Sequence, residues 1–233
     1  MLYLDQTLGC PAENLALDRE LLARSDQSGE EYLRVWHPDS TFVVIGRGNQ
    51  AAEHVDLDSC RRDSIPVLRR DSGGGAVVLG RGCLCYSVIV NSERDPALQT
   101  AAGANRYLLE RIRDAIGCDV ALAGDSDLTI GTRKIAGHAQ RRKRRSVLFH
   151  GSLIATMKLK LIDAYLKHPP RMPGYRSDRS HAEFVRNHDV DPRAFENSLR
   201  RVFGAKELAN KLFGRDARRI AATEWSDPHW RIL

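Results

Sequence analysis

The order of strand-like and helix-like segments constrains this chain more than any single motif. Four extended runs come first, EYLRVWH (31–37), TFVVIGRG (41–48), IPVLRR (65–70) and CLCYSVIV (83–90), separated by Pro, Gly and Asp turn signals. One helix follows: from Ala104 to Ile116 the apolar residues Leu108, Leu109, Ile112, Ala115 and Ile116 recur at helical spacing, and Gly117 stops it. Short strands then resume as DVALAG, SDLTIG, RKIAGHAQ and SVLFHGSLIAT, joined by glycine-containing turns, with RRKRR (141–145) at a hairpin tip. A doubly wound array would alternate strand and helix. Two groups of strands around one helix, with further helices gathered toward the end, predict an α+β fold of mixed and antiparallel sheets flanked by helices.

The remaining helices follow from their caps and stops. Pro11 suits the first turn of AENLALDRELLARS, whose Leu15, Leu21 and Leu22 share an apolar face with Ala12 and Ala16. LKLIDAYLKH (159–168) reads as helical until Pro169 and Pro170 end it, and PPRMPGYRSDRSH reads as loop. Asp191 and Pro192 form an N-cap and first position for RAFENSLRRVFG, with KELANKLFG and RDARRIAATEW as two more helical segments. A chain of 233 residues has room for one large core. The expected division is residues 1–190 as the main domain and 191–233 as a short helical extension packed on it.

Composition excludes several classes. With 42% hydrophobic and 28% charged residues the chain is globular, and no apolar run approaches the ~20 residues that cross a bilayer. The opening MLYLDQTLGCPAENLALD has no basic start before an apolar stretch, so a cytoplasmic protein is expected. Five cysteines without a C-x-x-C pair argue against a disulfide framework and structural zinc, and Cys83 and Cys85 read as core. His138, His150, His168 and His181 are candidate bases without a metal-ligand motif, and no metal ligands are assigned. The net charge of +6 suits an acidic partner. Neither aromatic interleaving nor a helix-turn-helix accompanies RRKRR, so nucleic acid is not expected.

Two stretches carry chemistry. RRDSGGGAVVLG (69–80) has the glycines that let backbone N–H groups converge on an anion, with Arg69 and Arg70 beside them. It lacks the Lys-Ser/Thr of one nucleotide loop and the following helix of the other, so for the glycines alone a tight turn or bulge is an equal reading, and the adjacent Arg69 and Arg70 shift the balance toward a carboxylate or phosphate. In GDSDLTIGTRKIAGHAQ (124–140), Asp127 begins one strand and Lys134 another, close to the small residues Ala136, Gly137 and Ala139. Spacing alone favours a solvent-facing lysine there.

Together these blocks, with AENLALDRELL before them and FVVIGRGNQ leading into the first, resemble the lipoate-protein ligase family of the biotin/lipoyl ligase superfamily over roughly residues 1–185. The resemblance implies a class II biotin/lipoyl synthetase-like fold. It implies joining of lipoic acid to AMP from ATP and Mg2+, then transfer of the lipoyl or octanoyl group to a lysine of a carrier. By motif, Lys134 resembles the lysine that stabilises the acyl-adenylate and Asp127 the group near the phosphate and the carrier lysine. Arg70, Ser72, Gly73, Gly74, Gly75, Ala76, Val77 and Val78 resemble one wall of the pocket, and Gly137, Ala139, His150 and Gly151 the strand positions lining it. The implied carrier is a dehydrogenase E2 domain, a glycine-cleavage H-like protein or a lipoate-binding protein, and a separate accessory chain is an expected partner if the short tail does not suffice. Ser126 stands where many relatives carry Asn, and RGCLCYS has cysteines where polar residues are common. The alternatives are an ATP-independent octanoyl/lipoyl amidotransferase, in which only Cys83 or Cys85 could hold the acyl group, a biotin ligase, and a non-catalytic carrier-binding protein.

Overall fold

A computed structural model describes residues 1–207, 215–224 and 227–233. Its elements are β1 (Leu2–Asp5), α1 (Pro11–Ser28), β2 (Tyr32–Trp36), β3 (Phe42–Ile45), α2 (Ala51–His54), α3 (Leu57–Arg62), β4 (Val67–Arg69), β5 (Val77–Leu79) and β6 (Cys83–Asn91). Then come α4 (Ala101–Ile116), β7 (Ala121–Ala123), β8 (Asp127–Ile130), β9 (Arg133–Arg142), β10 (Ser146–Ile154), α5 (Lys160–Tyr165), α6 (His181–Phe184), α7 (Pro192–Phe203), β11 (Lys206–Glu207) and α8 (Arg215–Glu224).

The strands form an eight-stranded sheet, β11-β1-β2-β6-β10-β9-β8-β7, and a three-stranded sheet, β4-β3-β5. β1 runs parallel to β2 and β11, whereas β2, β6, β10, β9, β8 and β7 pair antiparallel in turn. This is the expected α+β arrangement of mixed sheets flanked by helices. Strand alternation sorts the large sheet into two faces. Trp36, Cys85, Ile89 and Leu148 point toward α1 and the small sheet, while Val35, Tyr86, Val88 and Phe149 point toward α4 and α7. Both faces are covered, which explains why CLCYSVIV is a continuous apolar run.

Local chemistry sets the element ends. Pro11 opens α1 and Gly29, in the left-handed region at φ 76°, closes it. Thr100 caps α4 by accepting from Gly103 N–H, and Asp191 caps α7 by accepting from Ala194 N–H. α5 is shorter than LKLIDAYLKH predicts: Leu166 turns extended and pairs with Val55 instead of continuing the helix. The helix predicted over KELANKLFG is not seen at its start, where Lys206–Glu207 extends the large sheet beside β1, and the rest of it lies outside the described residues. α7 packs on α4 and α8 on α1, and the C-terminal Arg231 to Leu233 pairs along β4. Among the described residues no helix is long and apolar enough to cross a membrane.

Candidate active site

Two adjacent cross-strand rows on the α1-facing side of the large sheet form the floor of a cavity of about 510 Å3. Strand register brings Asp127, Gly137, Ser152, Cys85 and Trp36 into one row and Ala139, His150, Ser87 and Arg34 into the next. The small sheet, the glycine loop and the chain from Met157 to Val185 wall it in. Of the residues the motifs single out, all but Ser72 and Gly73 line it.

At one end, Lys134 Nζ sits 2.7 Å from Asp127 Oδ1. A bulge between Leu128 and Thr129 shifts the β8–β9 register and brings Lys134 opposite Thr129. Its side chain then folds back over Gly137, where a Cβ would stand 2.6 Å from Nζ. Gly137 is therefore the residue that makes room for the ion pair. The Tyr175 hydroxyl donates to Asp127 Oδ2 at 2.7 Å, and burial together with that carboxylate pushes the phenol pKa up.

The glycine loop is turned by Arg70. Its Nη2 donates to Gly73 O at 2.6 Å and Gly75 O at 2.9 Å, and its Nε to Ser72 Oγ at 3.0 Å. Asn49 Nδ2 donates to Gly74 O. Gly46 packs against the same peptide, so close that a Cβ there would meet Gly74 O at 2.1 Å, and Gly74 itself takes φ +87°. Arg69 holds the neighbouring turn through the carbonyls of Gly46, Arg47 and Asn49. The two arginines that the sequence offers to an anion thus spend donors on loop carbonyls, and burial lowers the Arg70 pKa to about 10. With its carbonyls so engaged, the loop leaves the N–H groups of Gly73, Gly74 and Gly75 without a protein acceptor among the described residues. Three successive donors are thus left for an anion, which is what a glycine loop can offer.

A second network, of which the sequence motifs give only Ser72 and His150, lies beneath the loop. Ser72 Oγ meets His150 Nε2 at 2.7 Å, and His150 Nδ1 meets Asp18 Oδ2 at 3.2 Å. Asp18 also accepts from Ser87 Oγ and pairs with Arg34 at 2.7 Å. Arg34 is fully buried and fills its other donors with Gln6 O, Asn14 O and Asn14 Oδ1. Burial alone would raise the Asp18 pKa, but Arg34, His150 and Ser87 together hold it below the usual carboxylate value. The available signal was helical phase: Asp18 falls three positions from both Leu15 and Leu21 on the face of α1 read as apolar.

The Lipoyl protein ligase A/B catalytic domain family matches residues 10–200. The chain belongs to this family. It is 29% identical over 178 residues to lipoate-protein ligase A subunit 1 of Thermoplasma acidophilum, a match covering 72% of this chain and 67% of that one. It is similar to the solved archaeal bi-partite lipoate protein ligase studied with its E2 lipoyl domain from T. acidophilum, at TM-score 0.81 and 26% identity over 99% of this chain and 95% of that one. A T. acidophilum protein solved with bound lipoic acid matches at TM-score 0.79 and 25% identity, covering 99% and 97%. The chain spans about half to two thirds of the length of the curated relatives it matches. The biotin/lipoyl ligase class II fold expected from the motifs is the one it has.

Other groups in this lipoyl ligase family member are placed away from the reacting end. Gly151, though it borders the cavity, leaves its missing side chain on the opposite sheet face, where a Cβ would stand 2.3 Å from His138 Cδ2. There His138 Nδ1–H donates to Ser126 O at 2.8 Å, so Nε2 accepts from the Tyr86 hydroxyl at 2.6 Å. Burial drops the His138 pKa to about 4, which makes it a neutral structural ring stacked on Phe149. Burial pushes the Cys83 thiol up to about 11 and the Cys85 thiol up as well. Asp5, His37 and Glu196 bring donor atoms within 4.8 Å of one another, but β1 alternation puts them on the α7 side of the sheet.

Proposed function

We propose that this protein is an ATP-dependent lipoate-protein ligase that forms an acyl-adenylate and passes the lipoyl or octanoyl group to a carrier lysine. The observation that carries this reading is the glycine loop, whose Gly74 and Gly75 border the same cavity as the Lys134–Asp127 pair and whose N–H groups have no protein acceptor among the described residues. A carboxylate is inert toward an amine until it has a good leaving group, and adenylation supplies one. Negative charge that develops on the α-phosphate is held by the glycine N–H groups and by Lys134, in a cleft where water is displaced. The apolar side of the cavity, with Leu15, Val44 and Leu79, takes the acyl chain. For transfer, the incoming lysine must lose a proton, and Asp127 receives or orients it. Asp125, a hard oxygen donor beside this end of the cavity, would help hold a Mg2+ arriving with the nucleotide, which would supply further neutralisation of phosphate charge.

The amidotransferase alternative needs an activated thiol. Cys83 and Cys85 are buried with raised pKa values and have no base at hydrogen-bond distance among the described residues, which disfavours it. The acceptor is a small lipoyl carrier of the E2, H-like or lipoate-binding type. Similarity to one chain of a bi-partite ligase supports a second accessory chain, acting with this one in the cytoplasm. We take 1–190 as the catalytic unit and 191–233 as its packed extension. Incubation with ATP, Mg2+ and lipoate or octanoate, with mass analysis for the acyl-adenylate, tests the reading. Adenylate is expected, and carrier acylation that proceeds without ATP would overturn it.

A further inference from the structure

The loop between α5 and α6 carries no motif, yet it sends an arginine into the cavity wall. Arg176 lines the cavity and is 4% exposed. Its guanidinium stacks on the Phe184 ring at 4.7 Å, its Nε donates to Arg179 O at 2.9 Å, and its Nη2 donates to His181 Nδ1 at 3.4 Å. The His181 tautomer is set from the other side: Lys167 O can only accept, so Nε2 at 3.2 Å carries the proton and Nδ1 presents its lone pair to Arg176. The neighbouring Tyr175 ties the loop to Asp127, and its ring lies against Gly124, where a Cβ would stand 3.3 Å from Tyr175 Cε1. The guanidinium is thus held by three partners.

No carboxylate among the described residues pairs with it. Among the described residues Arg176 forms no ion pair, its Nη1 has no protein acceptor, and Asp178 on the same loop turns to His168 at 3.4 Å. Of the other cations that border the cavity, Lys134 is paired with Asp127, Arg70 with loop carbonyls and Lys167 with Ala52 O, while Arg171 is exposed to solvent rather than desolvated. A desolvated cation without a carboxylate is costly, and a preorganised planar fork is suited to the two oxygens of a carboxylate or phosphate. We propose that Arg176 is a further anion-binding residue of this cavity, beside Lys134 and the glycine loop, pairing with the carboxylate of the acid substrate or with the phosphate of the nucleotide. This rests on the ligase reading.

Two pairs of probes, each matched in shape and differing in charge, test it in calorimetric titrations of the full chain: lipoate against lipoamide, and AMP against adenosine. Arg176→Met is expected to weaken one anionic probe by about tenfold or more while its neutral partner changes less than about twofold. Loss confined to lipoate assigns the carboxylate, and loss confined to AMP the phosphate. Arg176→Lys keeps the charge and is expected to retain most of the preference for the anion, which guards against misreading a packing defect in the Met variant. Equal weakening of charged and neutral probes, or unchanged binding of all four, overturns the proposal while leaving the ligase reading intact. A wild-type protein that binds none of the four overturns both.

Discussion

Two ion pairs lie on the same face of the same sheet, and both have an N···O distance of 2.7 Å. In Arg34–Asp18 the side chains are 0% and 4% exposed, and in Lys134–Asp127 they are 23% and 12% exposed. The contrast lies in what surrounds the charges. Every oxygen of Asp18 and every nitrogen of Arg34 has a partner, drawn from α1, β2, β6, β10 and the chain after β1. Among the described residues Lys134 has Asp127 alone for its amine, although an ammonium can donate three times. A closed shell holds α1 on the sheet, whereas an open one leaves donors for a ligand. Completeness of the hydrogen-bond shell, not the salt-bridge distance, separates framework from chemistry here.

The comparison breaks most visibly at Arg34. Arg34→Met strands a buried carboxylate and is expected to cost about 3–5 kcal/mol in denaturant unfolding, with much of it recovered in Arg34→Met/Asp18→Leu. A loss as small as that of a surface pair would show that the shell is not closed. Lys134→Ala is the opposite case: acyl-adenylate formation, followed by mass, should fall about 10²- to 10³-fold, while stability changes by less than about 1 kcal/mol.

His138 sharpens the framework side. Its pKa of about 4 lies below the ordinary 6.5, so between these values the unfolded chain binds the proton first. Its contribution is complete above about pH 6.5 and fades as the pH falls toward 4, a loss of roughly 3 kcal/mol. Denaturation at pH 7.5, 5.5 and 4.5 should show this slope, and His138→Asn should flatten it relative to the wild type. Two glycines carry the contrast to a single Cβ. Gly151→Ala drives a Cβ toward the His138 ring, which is stacked and cannot yield, and should cost about 1–3 kcal/mol. Gly137→Ala meets only the end of the Lys134 side chain, so unfolding should barely change while adenylation is lost.

Much of the framework was legible because its signals are local. Turn residues between apolar runs marked β2, β3, β4 and β6, helical spacing marked α1 and α4, and Pro192 after Asp191 marked α7. β1 escaped notice because LYLD is too short to show a period, and α5 was overextended because Leu166 pairs with the distant Val55. At the site, the glycines, Asp127 and Lys134 stood out by motif, whereas Asp18, Arg34, Tyr175 and Arg176 did not. Sequence by itself determined the order of elements and where glycine permits close approach, since both depend on neighbouring residues. Tertiary structure alone decided which charges are spent. Arg70 and Arg176 read alike along the chain, but one guanidinium is consumed by carbonyls of the loop it shapes and the other faces the cavity without a counter-ion. That difference arises from partners brought together by folding, which no spacing of residues encodes.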